Sequence, residues 1–426
     1  MYLELLWVLP FVSLLGSIAI FPLANKTWWE KNFVLVSFFL ASIIVFHYVF
    51  QIKNPTVLIH TGLEYFSFIS LIGSLFVVSG GIHINVKGEA TPLVNCVFLF
   101  IGAILANFLG TTGASMVLIR PWIRMNKYRL TAFHIVFFIF IVSNVGGGLT
   151  PMGDPPLFLG YLKGVPFFWV IQNVWLIWSL AICLLLAIFF ITDAINFRKA
   201  PKAIRELETG HGEEWKFLGI HNVFFLLMIL AAVFINRPPF SREAIMILAA
   251  ALSYKTTSRQ IHESNDFNFG PIKEVAILFI GIFATMIPAL EWLEHYAAQL
   301  GITTAGQFFW GSGILSSVLD NAPTYLNFLS AAAGLFHYTD LVSANAATNP
   351  VSMILANHPH YIRAISVGSV FFGAVTYIGN GPNFLVKSIA DQSNVKTPSF
   401  FGYFFCYSLP ILIPIFALVW FLFFRT

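Results

Sequence analysis

Two aspartates, Asp154 and Asp320, stand inside stretches otherwise made of apolar and small residues. An acid at membrane depth is costly, and its default reading is functional. One carboxylate can hold either a proton or a sodium ion, which is the minimum chemistry for exchanging one for the other. The plainer alternative for each is a cap on a half-helix N-terminus; capping and ion binding are compatible. Asp154 lies in Ser143-Asn144-Val145-Gly146-Gly147-Gly148-Leu149-Thr150-Pro151-Met152-Gly153-Asp154-Pro155-Pro156. The glycines let a helix unwind and let backbones approach closely. The prolines stop its hydrogen-bond ladder. The freed carbonyls, that of Gly147 included, and the Ser143, Asn144 and Thr150 oxygens are hard ligands suited to Na⁺. The half-helix N-termini carry partial positive charge and can face an anion or carboxylate.

The same chemistry recurs later in the chain. Thr150, Gly153, Asp154, Pro156, Phe158 and Leu159 line up without gaps on Thr376, Gly379, Asn380, Pro382, Phe384 and Leu385. Phe and Leu matches are cheap in this composition; the Thr, Gly and Pro matches are not. Asn383 extends the polar part of the second segment. Each broken segment follows an apolar stretch interrupted by small and polar residues. The first interruption is Gly110-Thr111-Thr112-Gly113, and the second is Asp320-Asn321-Ala322-Pro323. Asn107, Thr111, Thr112 and Ser115 are candidates to line the first tip. Ser316, Ser317, Asn321 and Thr324 are candidates for the second. Serines and threonines often satisfy only their own helix backbone, so a ligand role and a local role stay open for each. His83 and His134 could relay protons, but core or interface positions suit them better. Glu291 and Glu294 fall near the outer end of a span and read as solvated.

The elements that must position these residues are membrane helices. Of 426 residues, 58% are hydrophobic and only 10% are charged, against about 25% charged in an ordinary soluble domain. With a mean hydropathy of +0.81, lipid is the natural solvent, and one large soluble core is the poor alternative. The 47 Phe and 11 Trp suit acyl-chain packing and interface belts. Spans are predicted at 5–23, 33–50, 63–84, 132–149 continuing to 161, 166–192, 219–235, 240–254, 272–293, 361–378 continuing to 389, and 400–424. The first is read as a span, not a signal peptide, because Glu4 rather than a basic region precedes it. Stretches 92–122 and 304–336 are predicted to be re-entrant hairpins. With about ten crossings, the basic residues divide roughly 17 against 6 between the two sides, as the positive-inside rule requires. Both termini then lie outside. The fold class expected is an all-α polytopic membrane protein, with two inverted repeats at 1–196 and 219–426 and a cytoplasmic linker at 197–218. Each repeat holds an odd number of crossings, so the second is upside down relative to the first. Gly/Pro-interrupted segments at matching positions of such repeats mark a transporter's binding site.

The stretch 143–156 resembles the "SN-x-GG…T-P-x-G-x-P-P" signature of the ion transporter superfamily. That group includes NhaD-type sodium/proton antiporters, citrate and dicarboxylate transporters, and arsenite exporters. The likeness extends over both halves, through the GTTGAS hairpin, Asp320-Asn321-Ala322-Pro323 and Gly379-Asn380-Gly381-Pro382-Asn383. It implies a scaffold domain, a transport domain that moves against it like an elevator, and ion sites between each hairpin tip and the adjacent broken helix. It also implies a homodimer in a bacterial inner membrane. Dicarboxylate carriers of this group typically carry Ser-Asn-Thr at both tips; this chain does not. With extra carboxylates and no Arg at membrane depth to pair with an anionic substrate, Na⁺/H⁺ antiport is expected. Na⁺-coupled citrate or dicarboxylate symport and small-anion export are the alternatives.

Other classes fit less well. A channel more often builds its filter from oligomer symmetry than from two non-identical sites in one chain. There is no Walker motif, zinc spacing or Ser/His/Asp elbow for a pump or hydrolase. Cys96, Cys183 and Cys406 lack metal or redox spacing. No cofactor is expected beyond Na⁺ and H⁺, and no nucleic-acid partner.

Overall fold

The computed structural model describes residues 5–85, 91–199, 216–235, 237–340, 350–393 and 395–425. Most of the expected linker, residues 200–215, lies outside the described residues. The chain is nearly all helix. It opens with α1 (Leu9–Ala24), α2 (Lys26–Phe46, extended by a wider turn over His47–Gln51) and α3 (Pro55–Gly80). There follow α4 (Pro92–Met125), α5 (Ala132–Ile141), a 3₁₀ turn at Val145–Gly147, α6 (Pro155–Leu162) and α7 (Trp169–Lys199). The later part repeats this order. It has α8 (Asn222–Val233), α9 (Ser241–Thr256), the short α10 (Arg259–Ser264) and α11 (Gly270–Tyr296). Next are α12 (Ala305–Val318), α13 (Asn321–Asp340) and α14 (Pro350–Asn357). Then come α15 (Pro359–Phe371), a 3₁₀ turn at Phe372–Val375, α16 (Gly381–Gln392) and α17 (Phe400–Phe423). Two short strands, β1 (His83–Asn85) and β2 (Lys216–Leu218), pair antiparallel and tie the end of α3 to the start of the later part.

Among the described residues, six helices are long and apolar enough to cross a membrane, α4 among them. Length misleads for α4. At Gly110 the backbone leaves the helix (φ 74°, ψ 155°), a conformation that glycine adopts at no steric cost. The two legs then run back along each other. Asn95 and Asn126 exchange side-chain hydrogen bonds of 2.8 and 3.1 Å, and Phe98 stacks on Trp122 with ring centroids 5.5 Å apart. A straight helix would hold residues 95 and 126 about 46 Å apart. α12 and α13 form a second hairpin around Leu319–Asp320, closed by Phe308 on Phe328 at 6.0 Å.

Packing sorts the helices into two groups. α1, α2, α3, α8, α9 and α11 pack on one another, whereas the hairpins pack on α5–α7 and α15–α17. Between the groups run α3 against α4 and α6, and α11 against α13. Ion pairs cross this boundary near both ends of α3. Lys163, at the end of α6, reaches Glu64 at 2.7 Å. Arg120 of α4 reaches Asp266, beside the end of α3, at 2.8 Å. Large side chains such as Leu35, Phe39, Phe224 and Phe401 point outward, each more than 60% exposed. This suits a lipid surface.

A buried ionic cluster closes the base of the first hairpin. Asp193 of α7 is fully buried. It accepts from Arg129, from His134 Nε2 at 3.0 Å and from Asn95 Nδ2 at 2.9 Å. His134 thus sits in a core position, its Nδ1 accepting the Thr131 N–H at 3.2 Å. His83 is also buried, against Asn265 at 2.8 Å. Because Asn95 and Asn126 touch only if α4 folds back, Asn95→Cys with Asn126→Cys should form an intramolecular disulfide on mild oxidation, read as a mobility shift reversed by reductant. Absence of the cross-link would mean that α4 crosses as one helix.

Candidate functional site

Both broken segments are built alike. In the first, Thr150 Oγ1 donates to Asn107 O at 2.6 Å and accepts the Gly153 N–H at 3.1 Å. In the second, Thr376 Oγ1 donates to Ser317 O at 2.5 Å and accepts the Gly379 N–H at 3.2 Å. Each threonine therefore ties a loop to the hairpin before it, and each satisfies a backbone group that the broken ladder would leave bare. The turns also close through paired glycines. A Cβ on Gly153 would lie 2.1 Å from Gly147 O, and one on Gly379 would lie 2.7 Å from Gly373 O. This explains in contact terms why these positions carry no side chain.

The loops meet around Asp154, which is 1% exposed. Its Oδ1 accepts from Thr111 Oγ1 at 2.8 Å and from Asn380 Nδ2 at 3.1 Å; its Oδ2 accepts from Asn321 Nδ2 at 2.6 Å. The donors come from the first hairpin tip, the second broken segment and the second hairpin tip. Asn380 is the residue that lines up on Asp154, so corresponding positions of the two segments touch each other. All three donors are uncharged. A hydrogen bond to a charged group contributes about 1.5–3 kcal/mol, yet none of these removes the net negative charge.

Three further amides, Asn144, Asn383 and Asn107, hold the loops around Asp154 in place. Asn144 donates to Ile139 O at 2.8 Å and to Asn383 Oδ1 at 2.7 Å, and accepts from Asn380 at 3.2 Å. Asn383 donates to Gly373 O at 2.7 Å and Thr376 O at 2.9 Å. Asn107 donates to Gly146 O at 2.7 Å and accepts the Leu149 N–H at 3.0 Å. The Ser143 and Ser115 hydroxyls pair at 2.8 Å. Trp178, which carried no signal in the sequence, donates its indole N–H to Gly146 O at 3.0 Å.

Other predicted residues stand apart. Asp320 is half-buried and accepts the N–H of Ala322 at 3.0 Å, the geometry of a cap on its own half-helix. Thr324 donates to Asp320 O at 2.9 Å and Ser317 to Ile314 O at 2.7 Å, so both serve their own backbone. Ser316 instead crosses to Ser369 O at 2.6 Å. Thr112 and Gly147 border the first turn, Thr112 partly exposed and Gly147 buried. Glu291 and Glu294 are exposed, Glu291 accepting from Tyr48 at 2.6 Å. A cavity of about 30 Å³ lies beside Asp154, walled by Leu75, Phe76, Gly110, Thr111, Met152 and Phe158 among others. That is room for about one water molecule. Asp193 and Arg129 were missed as partners because the sequence puts one at the end of an apolar run and the other in a basic loop.

Long apolar helices with outward-facing side chains, together with a transport-family match over the whole chain, make this a multi-pass membrane transporter. The chain belongs to the family described as "Putative citrate transport" (CitMHS_2), which matches residues 1–424. No match was found among curated proteins.

Gly153→Ala should destabilise the protein by about 1–3 kcal/mol, the usual cost of overpacking, because the added methyl meets the Gly147 carbonyl. Thermal unfolding in detergent reads this. A Tm equal to that of the unmodified protein would mean that the close turn is not maintained.

Proposed function

We propose that this protein exchanges Na⁺ for H⁺, with Asp154 as the group that holds one or the other. The observation that carries this reading is the charge at the centre of the site. Among the described residues, the buried Asp154 carboxyl receives three neutral donors and no cationic side chain. Such a centre attracts a small cation or a proton and repels a carboxylate substrate. The adjacent cavity has room for a desolvated ion.

In this proposal residues 1–196 and 219–426 are inverted repeats, and the two hairpins are re-entrant. The hairpins and broken helices move as a body against α1–α3, α8, α9 and α11. The two ion pairs across that boundary, Lys163–Glu64 and Arg120–Asp266, support such a division because they are contacts that a sliding motion can break and remake. Asp320 acts as a cap that rigidifies the second tip. A bacterial inner membrane, with both termini outside, follows the distribution of basic residues.

A second reading has one observation in its favour, the whole-chain match to a citrate-transport family. In it the same acid holds the coupling cation, and citrate enters when the site opens.

Reconstituted vesicles with an internal pH dye and an imposed pH gradient separate the two. NaCl or LiCl added outside should drive proton movement, KCl should not, and Asp154→Asn should abolish the response. Since a proton excludes the cation from the carboxylate, the apparent Na⁺ affinity should fall as pH falls. No response to chloride salts, combined with Na⁺-dependent uptake of labelled citrate, would replace antiport by symport.

A further inference from the structure

Asn380 makes one hydrogen-bond arrangement too many. Its Nδ2 lies 3.1 Å from Asp154 Oδ1, 3.2 Å from Asn144 Oδ1 and 3.2 Å from the carbonyl oxygen of Ser143. An amide nitrogen carries two hydrogens, so three oxygens converge here on two hydrogens. The Ser143 carbonyl can only accept, which fixes the nitrogen, not the amide oxygen, at this point. All three oxygens belong to the first broken segment, while the nitrogen comes from the second. Beside them, Asn321 Oδ1 is buried and has no hydrogen-bond partner among the described residues, although the same amide's nitrogen donates to Asp154. Asn321 is 1% exposed. Buried acceptors rarely stay unpaired, because the desolvation they suffer is then uncompensated.

We propose that Ser143 O, Asn144 Oδ1 and Asp154 Oδ1 form a monovalent-cation cradle between the two broken helices, and that the Asn380 amide is its tethered plug. This rests on the cation reading above and adds the site and its gate. With the nitrogen withdrawn, three oxygens face one point, an arrangement that a cation stabilises without the two-hydrogen limit. One carboxylate makes the set neutral with a monovalent ion. The unwound carbonyl is the ligand type that broken transporter helices supply. Asn321 Oδ1 is a further oxygen without a partner among the described residues, on the amide that holds the other oxygen of Asp154. Gly373 packs closely on this point: a Cβ there would lie 2.9 Å from Asn144 Oδ1 and 3.3 Å from Asn380 Cβ, so a side chain at 373 would crowd both amides. The Asn380 side chain makes no capping bond to its own helix, so shortening it removes no hydrogen bond from the backbone of α16.

The test is direct binding of Na⁺ and Li⁺ to the purified full chain in detergent, followed by ²³Na line broadening and by thermal stabilisation, with choline chloride as the control. Removing the plug frees the competent state, so Asn380→Ala should bind Na⁺ about fivefold or more tightly than the unmodified protein. Asn380→Ser should shift the same way, and either variant suffices if the other fails to fold. Asp154→Asn should abolish binding. Unchanged or weaker Na⁺ binding in the folded position-380 variant would overturn the plug, whatever the transport data show. Binding by that variant where the unmodified protein binds too weakly to detect would support it. Loss of sodium-driven proton movement in unmodified vesicles, by contrast, contradicts antiport itself and not the plug.

Discussion

A buried acid that, among the described residues, receives only uncharged donors is the constraint on which the rest of this structure depends. An isolated charge in a low-dielectric interior costs many kcal/mol. Asp154 is tolerated because three other chain segments each deliver a neutral donor to it. That requirement accounts for features otherwise wasteful in a membrane. The hairpins must fold back so that Thr111 and Asn321 reach the centre. The helices must break so that Asp154 and Asn380 face each other. The threonine–glycine turns must close so that the breaks leave few bare backbone groups.

The same constraint explains why the two halves are not copies at their centre. Position 380 faces the Ser143 carbonyl and Asn144 Oδ1. A second acid there would set a carboxylate against those oxygens and against Asp154. An amide at 380 supplies a donor and adds no further negative charge beside Asp154, on which Asp320 already acts electrostatically. The peripheral ionic cluster follows the opposite logic. Asp193 is buried with Arg129, so its charge is balanced locally, and it serves to hold the two legs of the first hairpin together through Asn95.

Much of this architecture is legible in the sequence because Gly and Pro act locally. Gly110, the Gly146–Gly148 run and Pro155–Pro156 mark interruptions that the chain makes where expected, and the match of Thr150 and Gly153 to Thr376 and Gly379 anticipates two turns of the same build. Partnerships across the chain are a different matter. Nothing local says that Asn321 and Asn380 converge on Asp154, or that Asp193 meets Arg129 and His134, because those contacts depend on how distant helices pack. Asp154 and Asp320 look equivalent as sequence; only the fold distinguishes a shared acid from one that caps its own helix. Length and hydropathy misread α4 for the same reason, since the contact that folds it back joins its two ends.

The central claim is that Asp154 gives up its proton when Na⁺ arrives. Difference infrared spectroscopy of the membrane-reconstituted protein, recorded with and without Na⁺ across a range of pH, observes that carboxyl directly. The account predicts that Na⁺ removes a protonated-carboxyl band and adds a carboxylate band, and that both changes are missing in Asp154→Asn. A sodium-dependent spectrum that lacks those bands, or that keeps them in Asp154→Asn, would contradict it.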